Sequence, residues 1–219
     1  MVTILNFHKT GTTERDNYGV WRKKEKAMDR KKVAIIGLIV CFFYFISTIM
    51  LILTGSSKWL ITMEISTIIG GVYMVPFIIV IPYEEDRNTL KILSIIATSS
   101  CMVLTCIAHI VNLTVTNFLI ASGVNVPDYF QIGKWPSVEM IVDYTAWGFF
   151  LGLGFVLAAF AIEKNKLLKT TILICGLLCI LGYFCAVILN HNFWYIAPVG
   201  YGIGSVVICI ELIAQSKKN

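Results

Sequence analysis

Charge is what this chain has least of. Asp, Glu, Lys and Arg make up 14% of its 219 residues, where soluble domains carry about 25%. That scarcity excludes an ordinary cytosolic enzyme and a disordered chain alike, since both need a charged, hydrated surface. Histidine is scarcer still, at three residues, and no HExxH or HxxxH spacing occurs. Seven cysteines are present but none forms a CxxC pair, and all fall within apolar stretches. This excludes a disulfide scaffold, a zinc ribbon and a thioredoxin-like site. No cofactor motif is present: the Gly-x-Gly-x-Gly run at Gly200–Gly204 lacks the preceding strand that a dinucleotide fingerprint requires. The net charge of +5 is too small a surplus to indicate a nucleic-acid partner.

What the chain does have is apolar sequence. Hydrophobic residues account for 57% and the mean hydropathy is +0.79, which points to an integral membrane protein in contact with the lipid bilayer. A helix needs about 20 apolar residues to cross the hydrocarbon core, and six stretches meet that length: 33–53, 59–82, 92–120, 138–162, 170–189 and 193–214. Continuous apolar blocks, rather than alternating ten-residue segments, argue for helices over a barrel. The expected fold is therefore an all-α, six-transmembrane-helix bundle over residues 33–216, preceded by a basic arm at 1–32. The first stretch is expected to stay as an anchor, being too long for the apolar core of a cleaved signal.

Sixteen of the eighteen Lys and Arg fall in the arm, in the 83–91 and 163–169 connections and in the tail; only Lys58 and Lys134 fall on the other side. The positive-inside rule then makes both termini cytoplasmic in a multi-pass protein of the cell membrane. Trp59, Trp135, Trp194 and Tyr195 mark the opposite boundary, as an interfacial aromatic belt does. The arm segment Trp21–Lys32 lacks a clear apolar face and reads as a stop signal touching anionic headgroups.

Two small-residue motifs, Gly148/Gly152 and Gly200/Gly204, let helices approach closely. Packing inside the bundle is the favoured reading, and a seam between two copies in a homo-oligomer is the alternative.

Ionisable groups inside a span are costly, about 2.5–3.5 kcal/mol each on insertion scales, and so mark candidate sites. Ser94, Thr98, Cys101, Thr105, His109, Asn112 and Thr116 recur at three- and four-residue steps. They form one polar stripe that must face the bundle or water. Glu139, Asp143 and Trp147 stack at four-residue steps, with Tyr144 beside Asp143. Sorted by depth, Glu64, His109, Asn112, Asp143, Tyr144, Trp147 and Tyr201 all map to the outer half. They predict an outward-facing polar pocket, beneath the long 121–137 loop, for a small polar or amphipathic ligand, a lipid included. Glu139 and His191 are expected to meet water at the boundary, and Glu211 to lie within reach of Lys217 or Lys218. Three functions compete: binding or transport, a sensor or assembly subunit without chemistry, and a lipid hydrolase. The last would draw zinc ligands from His109, His191, Glu64 and Asp143.

Overall fold

The computed structural model describes residues 11–216, with side chains from Asp29 onward. The side chains of the basic arm, and Lys217 and Lys218, lie outside the described residues, and with them the readings of headgroup contact and of a partner for Glu211. Among the described residues there are helices and no strand. Six helices are long and apolar enough to cross a membrane: α1 Asp29–Thr54, α2 Ser57–Ile79, α3 Glu85–Ala121, α4 Val138–Phe160, α5 Lys166–Leu189 and α6 His191–Ser216. This is the build of a multi-pass integral membrane protein. In hydrocarbon, a helix satisfies every backbone polar group within its own segment. α1 is the apolar continuation of a helix that begins at Gly11.

Each helix packs against the next in sequence, and α6 closes the ring against α1. Across the middle, α2 meets α4, where the Phe77 and Phe155 rings lie 6.4 Å apart. The outer faces are covered with exposed Ile, Leu, Val and Phe, such as Ile36, Phe42, Phe43 and Ile49 on α1. Such a surface suits lipid rather than water. The two ends of the bundle differ. At the end bearing the 80–87 and 161–165 connections, the interior is aliphatic and aromatic: Phe77, Ile78, Phe155, Ala158, Ile162, Leu168, Ile172, Ile208 and Leu212. At the other end, beside the 122–137 loop, the interior is polar.

Helix starts follow local chemistry. Ser137 accepts a hydrogen bond from the Met140 amide (3.1 Å) to begin α4, and Asn165 accepts one from the Leu168 amide (3.1 Å) to begin α5. Each satisfies one amide that the first turn leaves without a helical partner. Outside the membrane segments, two ion pairs tie the neighbouring connections together. Arg87 donates to Glu163 (2.8 Å) and Lys164 to Glu84 (2.8 Å).

The glycines go into internal packing. A Cβ on Gly176 of α5 would sit 2.8 Å from the Gly152 carbonyl oxygen, and one on Gly200 of α6 2.6 Å from the Cys175 carbonyl oxygen. Gly148 faces Tyr183, and Gly204 faces the Cys175 side chain. Both motifs therefore line the seams of α5 with α4 and with α6.

Four helices change register at the polar end. π-helical turns occur at Asn112–Thr116 in α3, Thr145–Phe150 in α4, Cys185–Leu189 in α5 and Val199–Ile203 in α6. Each inserts an extra residue into a turn, and such turns gather at functional sites. In α4 the consequence is visible: Ala146, Trp147 and Gly148 are consecutive and all buried.

Candidate functional site

The stripe on α3 faces inward along its whole length. Ser94, Thr98, Cys101, Thr105, His109, Asn112 and Thr116 are all buried. Toward the aliphatic end the stripe serves packing. Ser94 donates to the Gly154 carbonyl of α4 (2.8 Å), and Thr98 donates back to the Ser94 carbonyl (2.9 Å). Toward the polar end it becomes a cluster of ionisable groups.

His109 stands between two carboxylates from two other helices. Its Nδ1 lies 2.6 Å from Glu64 Oε2 of α2, and its Nε2 lies 3.1 Å from Asp143 Oδ1 of α4. Glu64 is fully buried, and Asp143 keeps 20% of its side-chain surface exposed. A hydrogen bond in each gap needs one proton in each gap. An imidazolium between two carboxylates satisfies this, and so does a neutral imidazole beside one protonated carboxyl. In both arrangements the three groups together carry a charge of −1. The two protons belong to the set, not to one residue. Glu64 Oε1 is buried and has no partner, so one acceptor in the triad remains free.

Below the triad lies a cavity of about 50 Å³ between α1, α2, α4 and α6. Its lining includes Tyr44, Ser66, Thr67, Gly70, Trp147 and Tyr201. Trp147 lies one turn along α4 from Asp143, and its ring centroid is 5.1 Å from that of Tyr201. Thr67 lies one turn along α2 from Glu64. Above the triad, Tyr144 meets Trp135 of the loop edge-on at 6.0 Å, and Trp135 stacks on His191 at 4.5 Å. The loop thus closes over this end through aromatic contacts.

Of the seven residues singled out in the sequence, Glu64, His109 and Asp143 are in direct contact. Trp147 and Tyr201 share the cavity, Tyr144 joins the loop contacts, and Asn112 is buried one turn beyond His109 with its amide nitrogen unpaired. One expectation is corrected. Glu139 does not meet boundary water: it is 6% exposed, and its Oε1 accepts a hydrogen bond from the Thr116 hydroxyl (2.9 Å). Glu211, whose expected lysine partners lie outside the described residues, accepts a hydrogen bond from the Thr171 hydroxyl of α5 (2.7 Å). Tyr44 was missed, because on a helix as uniformly apolar as α1 no periodic signal sets it apart. Glu139 carried a signal, its four-residue spacing from Asp143, but a position near a span end outweighed it.

The zinc-ligand set does not assemble. His191 is held against Trp135, both nitrogens of His109 are taken by carboxylates, and among the described residues no group of three His, Cys, Asp or Glu is arranged to hold a metal. Comparison with known protein families, curated proteins and solved structures gave no match.

Proposed function

We propose that this protein sits in the cell membrane with both termini cytoplasmic, and that its outward-facing end binds or transports a small polar or amphipathic ligand. The Glu64–His109–Asp143 triad is the working site, flanked by Asn112, Tyr144, Trp147 and Tyr201. The observation that carries this reading is the buried imidazole held between carboxylates of two different helices, with one carboxylate oxygen left free. A well-packed apolar trio would stabilise the bundle at least as well, because burying charges costs more than their attraction commonly returns. Ionisable groups kept at such a cost within spans mark ion or substrate paths. The unit negative charge of the set suits a ligand bearing one positive charge, or a proton, and aromatic walls favour a cation.

The small cavity supports a second reading. A volume of about 50 Å³ is room for only a few water-sized molecules, against roughly 300–1,000 Å³ for the usual organic ligand site. A membrane sensor whose triad responds to protons, without transport, fits that size directly. Transport needs a state in which the loop and the π-helical turns open the polar end.

Native mass spectrometry of the protein released from lipid nanodiscs tests the choice. The binding reading expects a bound non-bulk-lipid mass that Glu64→Gln and Asp143→Asn both remove. Identical spectra for the parent and both variants would overturn it.

A further inference from the structure

Beyond the triad, the polar end holds a second set of buried polar atoms without partners. Glu139 Oε2 on α4 is unpaired, as are Asn112 Nδ2 and Asn117 Nδ2 on α3; Glu64 Oε1 makes a fourth and His191 Nδ1 on α6 a fifth. His109, Asn112 and Thr116 share the inward face of α3 over about 10 Å of its length. Thr116, at the far end, holds Glu139 by its hydroxyl and lies 3.4 Å from the Phe130 carbonyl of the covering loop. Asn112, Thr116 and the Glu139 that Thr116 holds thus lead along one buried face of α3 from beneath the loop to His109.

Their chemistry names the occupant. Two are carboxylate oxygens, which accept, two are amide nitrogens, which donate, and the imidazole nitrogen can do either. A cation would pair with the oxygens and leave the amide hydrogens buried and unsatisfied, which is costly. An anion would do the reverse. Water both donates and accepts, and buried waters ordinarily sit on such sets of groups.

We infer that a file of water molecules along α3 links Glu139 to the Glu64–His109–Asp143 triad, and that Glu139 is the relay through which the triad exchanges protons with the solvent beneath the loop. The inference rests on the reading of the triad as the working site and names the proton as its exchangeable ligand. In the forward step a proton from external water bonds to Glu139 Oε2. It then leaves Glu139 for the adjacent water as each water along the file accepts one proton and gives up another. The last water gives a proton to Glu64 Oε1, and Glu139 is a carboxylate again. One proton has moved, and the set has gone from −1 to neutral. The other ionisable groups facing this path are Tyr44 of α1, Asp143 and Tyr144 of α4 and Tyr201 of α6. Tyr44 and Tyr201 lie on the cavity side of the triad and Tyr144 meets Trp135 on the loop side, while Glu139 is the carboxyl that Thr116 holds beneath the loop.

Nitrogen-15 NMR of the protein in lipid nanodiscs tests the relay. His8→Gln and His191→Gln leave His109 as the sole imidazole. Exchange of its ring protons with water is then measured in that parent and with Glu139→Gln added. Glutamine keeps an oxygen to accept from Thr116 but cannot carry a proton. Exchange slowed roughly 100-fold, with the ring shifts of His109 unchanged, is the expected result. An unchanged rate overturns the relay and leaves the triad standing. Ring shifts that titrate as a free imidazole in the parent overturn the triad and the relay together. Asn112→Leu, which replaces a donor in the file by an apolar group of similar size, gives a second reading if the Gln variant does not fold. It too is expected to slow exchange, and a parent-like rate overturns the relay.

Discussion

His109 is the residue on which the polar end depends, and its removal has an unusual signature. Replacing it with leucine leaves Glu64 and Asp143 facing one another in a low-dielectric interior with no proton donor between them. Breaking a buried charged pair in this way costs about 3–5 kcal/mol. His109→Leu is therefore expected to lower the thermal unfolding midpoint sharply in detergent. Adding Glu64→Gln and Asp143→Asn to it should recover most of the loss, since nothing charged then remains to be satisfied. A triple variant no more stable than His109→Leu alone would mean that the imidazole stabilises by shape and not by pairing. The residues of this triad were legible as individuals, because ionisable groups stand out in apolar spans. Their pairing was not. Spacing along one helix says which of its residues share a face, but not that α2 and α4 both turn that height of their surface toward His109. Glu139 shows the same limit, since burial near a span end is decided by how the loop folds over it, and the 121–137 segment has no periodicity from which to read that.

A different residue-scale effect belongs to the connections. The Lys164 ammonium, donating to Glu84, holds that carboxyl below its ordinary range, and the carboxylate in turn holds Lys164 above its own. A depressed carboxyl stabilises the fold at pH above its unfolded-state value, and the contribution fades as pH falls through the folded-state value. A raised ammonium stabilises below its unfolded-state value and loses that contribution as pH rises through the folded-state one. The bridge is thus intact across neutral pH and lost at both extremes. Unfolding midpoints measured against pH should show a shallower acid limb in Glu84→Gln and a shallower alkaline limb in Lys164→Met. The differences should be small and should shrink further at high salt, because the pair is exposed.

At the scale of the element, the glycines separate close approach from mere space. Gly176 meets the backbone of α4, with the Gly152 carbonyl oxygen 2.8 Å and the Val156 amide nitrogen 2.9 Å from where a Cβ would be. Backbone atoms in a packed helix cannot step aside, so even Gly176→Ala forces the α4–α5 seam apart, at roughly 1–3 kcal/mol. Gly202, in contrast, looks onto the edge of the Phe45 ring at 3.4 Å, which a side-chain rotation relieves. Gly202→Ala should unfold at the parent's temperature while Gly176→Ala unfolds lower, and equal midpoints would show that the seam is not tight. The two GxxxG motifs were plain in the sequence, but Gly176 and Gly182 on the partner helix were not, because a lone glycine in a span gives no periodic signal. The π-helical turns were illegible for a related reason: a hydrophobic pattern that assumes 3.6 residues per turn cannot announce where the turn widens. Their gathering at the polar end gives four helices a local slack that the aliphatic end lacks, and any opening of the site is expected there.

The whole molecule divides its labour by height, and that division follows from where a few charges fall. The six helices and their approximate limits were readable because each is a long apolar run broken by a short polar connection, the strongest pattern a membrane chain offers. Which end faces the cytoplasm is a matter of charge and not of packing. Sixteen of eighteen basic residues belong by sequence to the arm, the 83–91 and 163–169 connections and the tail, and moving such a set across a bilayer is what the positive-inside rule opposes. A reporter active only in the cytoplasm, fused after Asn219, should therefore be active. A reporter active only outside, inserted at Gly133 in the exposed turn of the long loop, should be active as well. The reverse pair would put the triad and its loop on the cytoplasmic side, so that the site would open inward. The orientation can also be pushed. Among the described residues, Lys58 and Lys134 are the only basic ones on the loop side, so adding four lysines beside Gly133 weakens the bias without touching a buried contact. If charge alone sets the orientation, that insertion should give a mixed population by protease protection, and a uniform one would show that helix packing holds the orientation once the first spans are in.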